Sequence, residues 1–273
     1  MALATADFKY IRDLVRARSA IVLDDNKGYL VETRLMPLVR QEKFASIGEL
    51  VEGLRKQSFN GLHQMVVEAM TTNETSFFRD QHPFDALKRE LVPELMKKQA
   101  SARKLNIWCC ACSSGQEPYS VAMLLREHFP RLAGWDLTLL ATDLSTEILA
   151  RAREGRYGKL EVNRGLPVRL LVKYFKNEGL TWQIKEDIRR MVDYRMMNLI
   201  EAWPLLPTMD IIFMRNVLIY FDIETKKEIL AKVRRVLKPD GYLFLGTAET
   251  TLNLDEAFKR VVNGKAICYR LQS

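Results

Sequence analysis

In Asn106-Ile-Trp-Cys-Cys-Ala-Cys-Ser-Ser-Gly-Gln-Glu-Pro-Tyr-Ser120 a short apolar run stops at a turn of small residues, and a helix begins. In open α/β sheets, ligands sit beyond the carboxyl ends of the strands, and a turn with little side-chain bulk lets the backbone approach them. A lone turn of this kind also serves as a plain connector, so its meaning depends on partners further along the chain.

The first partner is Trp135-Asp-Leu-Thr-Leu-Leu-Ala-Thr142, a second buried strand that ends at Asp143 ahead of a helix over Ser145 to Arg153. A carboxylate at that place suits two ribose hydroxyls, as in dinucleotide and S-adenosylmethionine sites. The other reading is a helix N-cap, a role that Asp143 and Ser145 both fit. Met209-Asp-Ile-Ile-Phe-Met214 is a third apolar strand, followed by Arg215-Asn216-Val-Leu-Ile-Tyr220-Phe221 and a helix from about Glu224 to Leu237. Leu237-Lys-Pro-Asp-Gly241 then ends that helix and delivers Tyr242-Leu-Phe-Leu-Gly246 as the next strand. This ordered set resembles a class I S-adenosylmethionine-dependent methyltransferase, an α/β Rossmann-like domain. The G-x-G-x-x-G of nicotinamide dehydrogenases is absent.

With 273 residues, 48% of them hydrophobic, the chain has enough apolar material for one large core and a smaller domain. Its richest apolar stretch, Ile211 to Phe221, is broken by Arg215 and Asn216, so no direct membrane insertion is expected. The start lacks a basic and apolar leader, and a cytoplasmic location is expected. Cys109, Cys110 and Cys112 crowd one strand and turn, and Cys268 lies in the last apolar strand. That is not zinc spacing, and the three histidines are scattered, so no metal is expected. The net charge is +8. Between Arg151 and Arg195 twelve Lys and Arg face six Asp and Glu, a basic excess outside a minimal methyltransferase core. Such an excess suits a nucleic acid, but no RNA motif, zinc finger or recognition helix is legible there, and an acidic protein partner accounts for it at least as well.

Upstream of the α/β part the pattern is helical. Asp7 to Arg18 puts Phe8, Ile11, Leu14 and Val15 on one stripe. Lys27 to Lys43 carries Leu30, Leu35, Leu38 and Val39 among Lys27, Arg34, Arg40 and Lys43, with Pro37 placed to kink or split it. Ser46-Ile-Gly-Glu49 has capping-box spacing and opens a third helix, and a fourth is expected over Asn60 to Met70. A further helix spans Pro83 to Lys98. Between the two parts, Thr71-Thr-Asn-Glu-Thr-Ser-Phe-Phe-Arg79 is dense in hydrogen-bonding groups, with Phe77 and Phe78 as anchors; a helix-terminating loop is the other reading.

These stretches together resemble the chemotaxis receptor methyltransferases, the CheR family. The likeness runs nearly end to end, through Thr71 to Arg79, Gly115-Gln-Glu-Pro-Tyr-Ser120, Ala141-Thr-Asp143 and Arg215 to Phe221. It implies an N-terminal helical receptor-recognition domain at 1–75, a linker with a helix at 76–104, and a methyltransferase domain at 105–273 carrying a small antiparallel β subdomain at 157–192. It implies S-adenosylmethionine as cofactor, S-adenosylhomocysteine as product, glutamates on the cytoplasmic helices of chemoreceptors as substrate, and a monomer. Residue by residue, it places Asn73, Thr75 and Arg79 around the methionine part of the ligand, Glu117 at its amino group and Asp143 at its ribose. Asn198 and Leu199 fall at the adenine, and Arg215 with Asn216 at the cofactor's edge. Arg79 is nominated to orient the substrate carboxylate and Tyr220 as a neighbouring donor, with a packed ring as the other reading for Tyr220. The resemblance also sets the basic segment with Lys27, Arg34 and Arg40 against the acidic receptor helices. Relatives often carry Ser and Ala where this chain has Cys109-Cys-Ala-Cys112, a small change.

Within 157–192, Val168 to Phe175 reads as a short helix, while Trp182-Gln-Ile-Lys and Ile188-Arg-Arg-Met-Val192 read as alternating strands. In some relatives such a subdomain takes up a receptor's C-terminal peptide on its free edge. Here only Lys176-Asn-Glu-Gly179 precedes the strands, and independence of a tether peptide is expected. A methyltransferase of RNA or of a small molecule, and a non-catalytic S-adenosylmethionine sensor, remain as alternatives.

Overall fold

The computed structural model describes residues 3–272. Packing divides them into two units: one runs to Thr72 and takes in Tyr220–Thr225, and the other holds Asn73–Ile219 and the chain from Lys226 onward.

The first unit is helical, with α1 (Thr5–Ser19), α2 (Gly28–Gln41), α3 (Ile47–Arg55) and α4 (Gly61–Ala69). The expected stripe on α1 buries Phe8, Ile11 and Val15 against Val31, Leu35, Leu50, Leu54 and Val66. Ser46 caps α3 by accepting from the Glu49 N–H at 3.2 Å, while the Glu49 carboxylate accepts from Ala45 N, one residue earlier than a standard box. Pro37 neither splits nor ends α2. It lies on the exposed face with Thr33, where water can serve the carbonyl that a proline leaves without its helical donor.

The second unit is built on a seven-stranded sheet. Its strands are numbered with those of a smaller sheet: β1 (Lys104–Cys110), β2 (Asp136–Asp143), β3 (Arg156–Gly158), β4 (Phe175–Glu178), β5 (Thr181–Ile184), β6 (Asp193–Met196), β7 (Met209–Met214), β8 (Leu237–Leu245), β9 (Phe258–Asn263) and β10 (Ala266–Leu271). The large sheet runs β6-β2-β1-β7-β8-β10-β9, and β10 alone runs opposite to the other six strands. This is the class I methyltransferase fold. The chain winds outward from β1 in one direction and then returns to β7 on its other side, so the switch point lies between the carboxyl ends of β1 and β7. β1 and β7 are buried along almost their whole length, as a parallel sheet covered on both faces requires.

Residues 76–104, set apart as a linker in the sequence reading, are part of this unit's core: Phe77, Phe84, Leu87, Leu91, Val92 and Leu95 are all buried in it. The helix expected over Pro83 to Lys98 is α5 (His82–Ala86) and α6 (Val92–Lys98), joined by a π-helical turn at Leu87–Leu91. Pro93 explains the widening, because it offers no N–H to the preceding turn. Lys238 to Gly241 is not a turn ahead of β8 but a bulge within it: Met209 pairs with Leu237 and Ile211 already with Tyr242. From this bulge Lys238 Nζ reaches the fully buried Asp210 at 2.7 Å, and Asp210 also accepts from Asn106 N at 2.8 Å. The amino-terminal ends of β1, β7 and β8 are thereby tied together.

Helices α7 (Gln116–His128) and α8 (Thr146–Glu154) follow β1 and β2. The insertion holds the small antiparallel sheet β3-β5-β4 with α9 (Lys159–Asn163), α10 (Val168–Tyr174) and α11 (Glu186–Arg189). Ile188 to Val192 is the end of a helical turn and its exit, not a strand: the turn over Glu186–Arg189 buries Ile188 and leaves Glu186, Asp187 and Arg190 to solvent. Lys176-Asn-Glu is not a lead-in loop but the hairpin strand β4, paired with β5 from Phe175↔Ile184 to Glu178↔Thr181. Only Gly179-Leu180 joins them, a two-residue turn with Gly179 at φ +80. The last helix, α12 (Ile223–Val236), precedes β8.

Candidate functional site

The loops beyond β1, β2, β6, β7 and β8 carry the site in the second unit. After β1 the chain turns at Gly115 (φ +92) into α7. A Cβ here would stand 2.6 Å from the Tyr194 hydroxyl and 3.1 Å from Ala152 Cβ, so only glycine fits the start of this helix. Burial raises the pKa of all three thiols of the strand and turn, Cys109, Cys110 and Cys112, which keeps them in the neutral form.

Glu117 and Arg215 meet across the switch point. Arg215 leaves the end of β7 with a side chain 2% exposed, and its Nη1 donates to Glu117 Oε2 at 2.6 Å. Its Nη2 donates to Asp80 at 2.5 Å and to the Arg79 carbonyl at 3.1 Å. Burial pushes the Glu117 carboxyl above the usual value, and Arg215 partly opposes that rise. Arg215 Nε is buried with no hydrogen-bond partner among the described residues. A buried donor left over at the mouth of a sheet is a group that a ligand's acceptor can satisfy.

The segment from Asn73 to Arg79 is bound to the same loops. Its Asn73 carbonyl accepts from Ser113 Oγ at 2.9 Å, and Phe78 N donates to Ser120 Oγ at 2.9 Å. Phe77 is fully buried, edge-on to Tyr157 and Phe175, and Phe78 is edge-on to Phe84. Gly165 (φ +88) lets this backbone pass, since a Cβ there would stand 2.1 Å from the Phe77 carbonyl oxygen. The half-buried Arg79 donates to the Glu74 carbonyl at 3.1 Å, and among the described residues no carboxylate bonds its guanidinium. Asn73 is exposed and Thr75 half-buried.

Asp143, at the end of β2, is buried and is not the cap of α8; Ser145 is, accepting from Ile148 N at 3.2 Å. Asp143 instead accepts from Ser113 N at 2.8 Å and Ser145 N at 3.1 Å, which aims its carboxylate at the β1 turn. After β6, Asn198 and Leu199 are both buried. Their loop is held from outside by Lys232 of α12, whose ammonium donates to the carbonyls of Leu199, Ile200 and Glu201 at 3.0, 2.8 and 2.8 Å. Trp203 Nε1 donates to Leu199 O at 3.2 Å. Asn216 takes a left-handed backbone, φ 57, and its N–H donates to Glu249 at 2.7 Å.

Non-glycine residues with positive φ gather on these turns: Phe78, Asp80 and Gln81, Ala111 and Ser113, and Asn216. Each such residue costs on the order of 1–3 kcal/mol, and such strain collects where a ligand is clamped. Asn73, Thr75, Arg79, Glu117, Asp143, Asn198, Leu199, Arg215 and Asn216 thus all lie in the second unit, on its carboxyl-end loops or the segment bonded to them. Tyr220 does not lie in that unit. Its carbonyl accepts from Val22 N at 3.0 Å, and it packs with the helical one. The sequence reading missed Asp80, Lys232 and Glu249. Asp80 and Glu249 stand just past a motif and a strand end, where a carboxylate carries a signal, whereas Lys232 reads as a solvated helix face.

In the helical unit, Lys27 is half-buried and Arg40 exposed. Arg34 is committed to structure. Its Nη1 donates to the Met70 carbonyl at 2.5 Å and its Nη2 to Thr72 Oγ1 at 2.8 Å, so it closes the C-terminal end of α4. Burial lowers its pKa.

The profile described as "CheR methyltransferase, SAM binding domain" matches residues 73–267, and "CheR methyltransferase, all-alpha domain" matches residues 6–71. "Chemotaxis protein methyltransferase 1" of Pseudomonas aeruginosa is 43% identical over 274 residues, covering 99% of each chain. "Chemotaxis protein methyltransferase Cher2" of Pseudomonas putida is 40% identical, again over 99% of each chain. "Chemotaxis protein methyltransferase" of Vibrio parahaemolyticus is 39% identical over 277 residues, with the same coverage. The chain belongs to the CheR family of S-adenosylmethionine-dependent methyltransferases.

Proposed function

We propose that this protein transfers the methyl group of S-adenosylmethionine to glutamate side chains on the cytoplasmic helices of chemoreceptors, forming methyl esters. The observation that carries the reading is the convergence of Glu117, Arg215 and Asp143 with the Asn73 to Arg79 segment at one switch point. The donor set fits the cofactor. Glu117 is an anion for its amino group, the guanidinium of Arg215 with its unmatched Nε–H suits the edge of an amino-acid end, and Asp143 is a fixed acceptor for ribose hydroxyls. Asn73 and Thr75 line the methionine part, Asn198 and Leu199 the adenine, and Asn216 the edge. When bound, the cofactor supplies a methyl group already activated on a sulfonium.

The protein's own work is then alignment. A glutamate carboxylate, with a reference pKa of about 4.3, is ionised at neutral pH and needs no base. Fixing it against the methyl carbon contributes on the order of 7–11 kcal/mol. Arg79 is suited to orient that carboxylate, because its fork is bonded to a carbonyl and not to a competing acid. Lys27 and Arg40 face the acidic receptor helices; Arg34, engaged at the end of α4, supports the helical unit instead. The two-residue hairpin turn leaves no loop to shape a groove beside β4, in keeping with independence of a tether peptide. Among the described residues no helix is long and apolar enough to cross a membrane. The protein is read as a cytoplasmic monomer with no nucleic-acid ligand.

Tritiated S-adenosylmethionine incubated with receptor-enriched membranes tests the reaction. The label should enter receptors and leave on mild alkali as a carboxyl ester does, and Arg79→Ala should lose nearly all of it. Alkali-stable label, or near-normal turnover by Arg79→Ala at saturating substrates, would contradict the assignment.

Receptor recognition is checked separately. Charge reversal at Lys27 and Arg40 together should impair receptor methylation and leave calorimetric affinity for S-adenosylhomocysteine intact, and C-terminal receptor pentapeptides should give no binding heat. Unchanged methylation by the double variant, or micromolar peptide binding, would refute the respective part.

Glu117 gives a pH signature. Burial raises its pKa in the folded protein above the unfolded value, so its contribution to stability is full below the unfolded pKa and is lost as pH rises through the folded one. Binding an ammonium favours the ionised form. Affinity for S-adenosylhomocysteine should therefore fall, with proton release on binding, as pH drops through a value above the ordinary carboxylate range. Glu117→Gln should bind more weakly and lose that pH dependence; a variant with the wild-type profile would remove Glu117 from the amino-group role.

A further inference from the structure

We propose that Glu249 is a positioning residue of the methyl-transfer site: its carboxylate holds the turn after β7 in the shape that presents Arg215 and Asn216. Four backbone N–H groups converge on this one side chain. Oε2 accepts from Asn216 N at 2.7 Å and from Gly246 N at 2.5 Å. Oε1 accepts from Val217 N at 2.9 Å and from Ile219 N at 3.2 Å. The Glu249 N–H closes its own turn on the Gly246 carbonyl at 2.9 Å.

Three of the four donors belong to a segment that has left β7 and cannot pair in the sheet. Asn216 is in the left-handed region, which points its N–H and that of Val217 to the same side, and successive N–H groups so arranged form an anion cradle. An ionised carboxylate is the acceptor such a cradle favours, through charge-assisted bonds. The loop that follows β8 thus donates a side chain that locks the loop after the neighbouring strand β7. With both oxygens engaged, Glu249 is neither a base nor a ligand for a substrate cation, and its effect passes through Asn216 and, one residue earlier, through the Arg215 pairing with Glu117.

This inference rests on the cofactor reading given above, and calorimetry with S-adenosylhomocysteine on the full chain separates the two. Wild-type protein that bound none of it would overturn that reading and the proposal with it. In Glu249→Ala the affinity should fall about tenfold or more, with the KM for S-adenosylmethionine rising in step and kcat at saturation changing less than about threefold. Formate at tens of millimolar should restore most of the affinity by entering the cradle that the half-buried side chain vacates, and chloride at equal ionic strength should not. Glu249→Gln keeps the volume but turns an amide N–H₂ toward two donors, so it should lose affinity and be insensitive to formate. Unchanged affinity in both variants would overturn the proposal. So would a loss in Glu249→Ala that follows the melting temperature and does not respond to formate.

Discussion

Arg215 is almost wholly removed from water, yet it is paired to Glu117 on one nitrogen and to Asp80 and the Arg79 carbonyl on another. A buried guanidinium without partners would cost several kcal/mol, and removing one partner of such a pair typically costs about 3–5 kcal/mol. Three separated pieces of chain must therefore come together for any one of them to be tolerated: the start of α7 beyond β1, the end of β7, and the segment that closes with Asp80. The sheet topology places β1 and β7 side by side, and the ion pair then fixes how the third piece lies over their ends.

That constraint produces a rigid floor. Asn73 is tied to Ser113, Phe78 to Ser120, and Asp143 to the same turn as Ser113, so the proposed ligand contacts share bonded neighbours rather than standing on independent loops. Supports from outside complete the arrangement, with Lys232 gripping the three carbonyls after Asn198. The positive-φ residues on these turns hold backbone shapes that isolated peptides avoid, and the surrounding bonds offset their cost.

Much of this was legible in the chain itself. The apolar runs ending at Cys110 and Met214 are buried along almost their whole length and the run ending at Thr142 over its second half, which is why three strands were readable without coordinates. The Thr71 to Arg79 motif was readable as hydrogen-bonding density with aromatic anchors. Other features depend on partners distant in sequence. Nothing local shows that Arg34 closes the end of α4, that Asp80 shares Arg215, or that Tyr220 packs beside Val22. The inserted subdomain misled for a different reason. Segments of four or five residues with few apolar positions fit either period, and pairing with β5 decided for Phe175 to Glu178 while burial of Ile188 decided for a helical turn.

That Glu117 and Arg215 act as one unit is open to a double-mutant cycle in urea unfolding. Glu117→Gln, Arg215→Met and their combination would be compared with the wild-type protein without ligand. If the pair organises the switch point, the double variant should cost less than the sum of the singles by about 2 kcal/mol or more, a coupling expected of groups in one buried network. Additivity within about 0.5 kcal/mol would show two independent side chains that happen to lie close, and would rule out a coupled pair.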